Sequence, residues 1–135
     1  MSVYGRTFAA ELNDKGKHQE AIESASQMID KDADNPEHWY DRAIANVALG
    51  RHADAVGDVE RAMVVDKRAM VLDDDELDDM LWSSLLAVAR GEGESGTARL
   101  DHYVQVVPAG RHVAEVGDWK RRLRGELKSD WVKAR

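Results

Sequence analysis

The chain has 135 residues, of which 43% are hydrophobic and a third are charged, with a formal net charge of −7. That length suits one domain with a core of its own, and the lack of cysteine excludes a disulfide framework, a thiolate zinc site and a cysteine nucleophile. Charge is unevenly spread: Trp119 to Arg135 carries a net +5 and leaves about −12 on the remainder, which argues against nucleic-acid binding by the main body.

At the N-terminus, Met1 to Ala10 lacks the basic patch and apolar run of a signal peptide. No apolar stretch approaches membrane-spanning length, so a cytoplasmic protein is expected. With few breakers and many Ala, Glu, Asp, Arg and Leu residues, the chain favours helices. The first helix is marked by Phe8, Ala9 and Leu12 and ends at Gly16. The run Gly16-Lys17-His18-Gln19-Glu20-Ala21-Ile22 then returns as Gly50-Arg51-His52-Ala53-Asp54-Ala55-Val56, at an offset of 34, and Asp32 returns as Asp66. A period of that length is one helix–turn–helix unit.

The second pair, Pro36 to Lys67, carries Trp39 and Ala43 before the turn at Gly50, then Ala55, Val59 and Ala62. Two antiparallel helices approach closely only where one lacks bulk, and Ala43 facing Ala55 supplies that. Gly50 can adopt the left-handed conformation that ends a helix, and Trp39 is expected as a large buried anchor. A link over Arg68–Leu72 and the acidic Asp73–Glu76 leads to a third, irregular pair. Counting back from Pro108 puts Leu100 and Tyr103 in its second helix, Gly91 at the turn and Met80 as anchor. A register two residues later, with Gly93 and Trp82 in those roles, also fits. Beyond Pro108, Val116, Trp119, Leu123, Leu127 and Trp131 recur at helical spacing from about His112 to Lys133. Gly125 within that stretch marks a bend or an early end.

These features resemble the tetratricopeptide-repeat family over nearly the whole chain, with repeats at about 2–35, 36–67 and 77–110 and a capping helix at about 112–133. Trp39, Ala43 and Gly50 fill the family's tryptophan, small-residue and turn slots. Arg42 in a leucine slot, Asn46 in a tyrosine slot, Lys67 in place of the usual proline and Gly5 in the first tryptophan slot depart from the pattern. The resemblance implies an all-α single domain, 1–135, built as a solenoid of about seven helices in antiparallel pairs without a sheet. It also implies a concave partner-binding groove lined by Arg6, Ala10 and Asn13, then Glu37, Tyr40, Ile44 and Val47, then Leu81, Leu85 and Val88. The slots that clamp a terminal carboxylate in some members hold Arg6, Ala10, Asp41, Asp78 and Trp82 here. Asp41 would repel a carboxylate, which argues against a co-chaperone of that kind.

Independently, Trp39 to Leu49 carries two apolar stripes and Met80 to Ala89 is apolar nearly all round, so both need cover on more than one side. The expected function is that of an adaptor or scaffold whose groove binds a peptide or amphipathic helix of a partner protein. The chain's own tail, or a homodimer through the groove or the C-terminal helix, would cover the same surface. A second reading docks the basic helix (Lys120, Arg121, Arg122, Arg124, Lys128, Lys133, Arg135) on an anionic membrane or acidic partner, with the repeats as scaffold. A capping role is preferred, and a membrane is not expected. A third is a secretion-chaperone-like binder of apolar segments.

The acidic run Asp73–Asp79 lacks the glycine of a calcium loop and reads as carboxylates at a helix N-terminus. His18 and His52 are expected to pack the corners after the turns, not to bind metal. The run Gly91-Glu92-Gly93-Glu94-Ser95-Gly96 carries two glutamates that would repel phosphate, and no Ser/His/Asp motif is recognisable. The expectation is therefore no enzyme, no catalytic residues, no cofactor, no metal and no nucleic acid.

Overall fold

The computed structural model describes residues 6–126, which are all-helical with no strand among them. In chain order they form α1 (Phe8–Asp14), α2 (His18–Lys31), α3 (Pro36–Ala48), α4 (His52–Ala69), α5 (Asp74–Glu92), a 3-10 turn (Gly93–Gly96), α6 (Thr97–Val106) and α7 (Val113–Leu123). The chain divides into two compact units, Met1–Leu77 and Asp78–Arg135.

In the first unit, α1 begins where extended Thr7 accepts a hydrogen bond from the Ala10 amide at 2.9 Å. Helix α3 begins where the Asn35 side chain accepts from the Glu37 amide at 3.0 Å, with Pro36 in the first turn. Both arrangements satisfy donors that a helix start leaves without partners. Helices α1 and α3 also stop alike. The Lys17 amide reaches back to the Leu12 carbonyl and the Arg51 amide to the Asn46 carbonyl, each at 2.8 Å. Gly16 and Gly50 sit between at φ +77° and +76°, where a side chain would cost about 1–2 kcal/mol. What recurs between the two turns is thus a hydrogen-bond pattern as well as a residue pattern.

Helix α1 packs on α2 and α3, and α3 packs on α2 and α4. Ala9, Leu12, Ala21, Ala25 and Ala45 form one apolar cluster. Ala43, Ala55, Val59 and Ala62 are fully buried, as the close approach of α3 and α4 requires. Trp39 corrects the expectation of a core anchor. It is half-buried, its indole N–H donates to the Ala33 carbonyl at 2.9 Å, and the Arg42 and Arg61 guanidinium groups lie 5.2 and 5.7 Å from its ring centre.

The two polar residues in apolar slots share one partner. Arg42 donates through Nε and Nη2 to Asp58 at 2.8–3.1 Å and through Nη1 to the Ser26 hydroxyl at 3.0 Å. Asn46 Nδ2 donates to the same Asp58 carboxylate at 2.9 Å. A buried carboxylate needs this many donors, so the three residues stand or fall together.

Helix α4 runs past Lys67 to Ala69 and stops at Met70, whose φ of 52° is left-handed. The buried Asp66 carboxylate then accepts from the Val71 and Leu72 amides at 2.7 and 2.9 Å, which folds the link onto the helix end. Asp73 accepts from the Asp75 and Glu76 amides at 2.8 and 3.2 Å and so starts α5.

In the second unit the turn glycine is Gly93, at φ +67°, while Gly91 lies within α5. Trp82 is buried and Met80 is partly exposed. Gly96 approaches the Ala89 backbone too closely for a Cβ to fit. The Tyr103 hydroxyl, fully buried, donates to Asp78 and accepts from the His112 amide at 3.1 Å. The Arg111 amide donates to the other Asp78 oxygen at 2.8 Å. Asp78 therefore leaves the acidic run to join the core, whereas Asp73 to Glu76 behave as expected of a helix start.

Helix α7 ends at Leu123, short of the expected Lys133. Gly125 takes φ +79° and the Glu126 amide reaches the Arg121 carbonyl at 2.9 Å, repeating the turn that closes α1 and α3. Val116 is buried, and the Arg90 and Arg122 guanidinium groups lie 5.4 and 4.4 Å from the Trp119 ring centre. Lys120 pairs with Asp101 at 2.7 Å. Gly5, Leu127, Lys128, Trp131, Lys133 and Arg135 lie outside the described residues.

Candidate functional site

The groove positions expected at Arg6, along α1 and on α3 come together. Arg6, Ala10, Asn13, Glu37, Tyr40 and Ile44 line one open recess of about 250 Å³, completed by Thr7, Asp14, Asp41 and Leu72. Glu37, Tyr40, Asp41 and Ile44 fall on a single face of α3 because three- and four-residue steps return to the same side of a helix. Thr7 and Asn13 bind α1 to that face: the Thr7 hydroxyl donates to the Asp41 carboxylate, and Asn13 Nδ2 donates to the Asp41 carbonyl at 3.0 Å. Val47 is half-buried and does not line the recess.

Asp41 forms the floor. It is 5% exposed, and no cation among the described residues forms an ion pair with it. Burial pushes its carboxyl up to about 6; the Thr7 bond and Arg6 oppose that rise, and Glu37 and Asp14 add to it. At the rim, Arg6 is paired with Asp14. Burial also raises Glu37. The Tyr40 hydroxyl donates to Glu76 at 3.0 Å, and burial together with that carboxylate pushes the phenol up to about 12. Tyr40, Ile44 and Leu72 give the recess apolar walls above an acidic floor.

The third set of groove residues behaves differently. Leu81 and Leu85 are 0% and 1% exposed. They are core residues with no surface to offer, which corrects the expectation that they extend an apolar binding strip. Val88 is half-buried.

A larger recess of about 380 Å³ lies beside the end of α4, lined by Asp34, Arg61, Val64, Val65, Arg68 and Ala69. Its charged residues are all exposed, so its size is not matched by any group held ready for a ligand. The smaller recess has the more specific chemistry. Of the remaining carboxylate-clamp slots, Asp78 and Trp82 are buried in the network around Tyr103. His18 Nδ1 lies 3.0 Å from Asn13 Oδ1, a corner contact of the kind expected.

His112 was not singled out by its sequence context. Its ring stacks on Trp82 at 5.4 Å and bridges Asp79 and Glu115 at 2.7 and 2.6 Å. Burial alone would lower its pKa, but the two carboxylates outweigh that and raise it. Among the described residues there is no group of three or more potential metal ligands, and no helix is long and apolar enough to cross a membrane. Compared with known proteins, the chain matches no family model and no curated protein.

Proposed function

We propose that the chain is a protein-interaction module of the tetratricopeptide type, not an enzyme, and that it holds a peptide or helix of a partner protein against the α1–α3 face. The observation that carries this reading is the recess: six residues chosen from repeat position alone line one opening. The two equivalent turns at Gly16 and Gly50 support a solenoid built from repeated helix pairs. At about 250 Å³ the recess is smaller than the roughly 300–1,000 Å³ of small-molecule pockets. It suits one or two anchoring side chains of a longer segment.

The test is selection of binders from a displayed library of random short peptides against the full chain. Ile44→Asp, at a half-buried wall position, should weaken the selected peptides at least about thirtyfold, the loss expected of one anchor. Circular dichroism should show unchanged helicity. Tyr40→Ala should weaken the same peptides, and Asp30→Lys on the exposed side of α2 should not. Peptides that bind both recess variants as tightly as the unaltered chain would move the binding face elsewhere.

A further inference from the structure

We propose that the recess recognises a basic side chain, a lysine or arginine of the bound segment, with Asp41 receiving the cationic group at the floor. This rests on the peptide-binding reading above and adds what the peptide must carry. Four aspartates are buried among the described residues: Asp41, Asp58, Asp66 and Asp78. Asp58 has a guanidinium and an amide, Asp66 has two backbone N–H groups, and Asp78 has a hydroxyl and a backbone N–H. Among the described residues, Asp41 has one hydroxyl, that of Thr7. It also lines an open recess, so further donors can reach it from outside.

The surrounding charge selects what can arrive. Glu37 and Asp14 face the same space, Glu76 lies beside Tyr40, and Arg6 is engaged by Asp14. An anionic group would meet repulsion from these carboxylates, and a neutral one would leave the Asp41 charge uncompensated. An ammonium offers three donors and a guanidinium five. Their hydrocarbon stems match the apolar walls made by Tyr40, Ile44 and Leu72. A chain body of about −12 would steer a basic segment towards it. Burial holds the Asp41 carboxyl at about 6, so cation binding is at full strength above that pH and fades as protonation proceeds below it.

The probes are N-acetyl-arginine amide, N-acetyl-lysine amide and the neutral N-acetyl-citrulline amide, each titrated into the full chain and followed by backbone amide shifts. The two basic amides should move the signals of Thr7, Tyr40 and Asp41, and the citrulline amide should bind at least about tenfold more weakly. Between about pH 7 and pH 5 the arginine affinity should fall roughly tenfold, as the ionised fraction of a group titrating near 6 does. Asp41→Asn keeps the acceptor for Thr7 and should abolish the arginine response; Glu37→Gln should reduce it by a smaller factor. Equal responses to the arginine and citrulline amides would overturn the inference, as would an arginine response that survives Asp41→Asn. So would selected peptides that lack basic residues yet lose binding in Ile44→Asp, and that outcome would leave the peptide-binding reading standing. Peptides indifferent to Ile44 and Tyr40 would remove both.

Discussion

Asp41 on α3 and Asp58 on α4 are equally hidden, each 5% exposed, yet the chain treats them in opposite ways. Asp58 receives Arg42 and Asn46, so its charge is neutralised and its lone pairs are occupied. Asp41 receives one hydroxyl and opens onto a recess. A fully partnered buried carboxylate fixes helix packing. One left short of donors at a surface opening reduces stability in the free chain, which is the usual mark of a group kept for binding.

The largest expected effect is on the satisfied aspartate. Arg42→Leu leaves Asp58 buried without its cation and should destabilise the fold by about 3 kcal/mol, read as a lower urea midpoint. Adding Asp58→Asn to that variant should recover much of the loss. An unchanged midpoint for Arg42→Leu alone would mean that the two aspartates do not differ in this way.

Asp41→Asn should act in the opposite direction. The folded carboxyl sits near 6 and the unfolded one near 3.9, so the folded state holds the proton more tightly. Native stability therefore falls as pH rises between those values, and the penalty persists above about 6. At neutral pH the asparagine variant should be more stable by on the order of 1–3 kcal/mol. The gain should vanish below about pH 4, and denaturation midpoints across pH check it.

Gly50→Ala, at a left-handed turn, should cost about 1–2 kcal/mol. Gly57→Ala, inside α4 with open space at the Cβ position, should gain up to about 1 kcal/mol. Thermal melts of the pair separate turn geometry from helix propensity.

The smallest effect belongs to the second unit. His112 holds its proton more tightly when folded because Asp79 and Glu115 face it. Its contribution is complete below about pH 6.5 and is lost as pH rises through the raised value. Trp82 stacks on that ring, so its fluorescence should report the titration, and His112→Asn should flatten the response.

Much of the helical order was legible in the sequence because it depends on local chemistry. Gly16 and Gly50 mark turns by conformational freedom, Pro36 opens the second pair, and Ala43 and Ala55 mark a close approach. Residues whose partners lie far along the chain were harder to read. Arg42 and Asn46 look like misfits until Asp58, 16 and 12 residues away, is placed beside them. Leu81 and Leu85 look like groove residues because the repeat pattern gives their helix face but not how deeply it is buried. Most of the recess residues follow from repeat position. Asp41 as its floor does not, since only the approach of Thr7 and α1 removes that carboxylate from water. A second carboxylate four residues after Glu37, beside the Tyr40 and Ile44 stripe of α3, was the available signal.

The most direct measurement is the carbon-13 carboxyl titration of Asp41 in the full chain, with and without saturating N-acetyl-arginine amide. The free chain should show a midpoint near 6, and the bound chain a midpoint shifted down as the cation stabilises the ionised form. A free-state midpoint near the ordinary value of about 4, or one that does not move on saturation, would contradict the assignment of Asp41 as the cation-receiving floor of the recess.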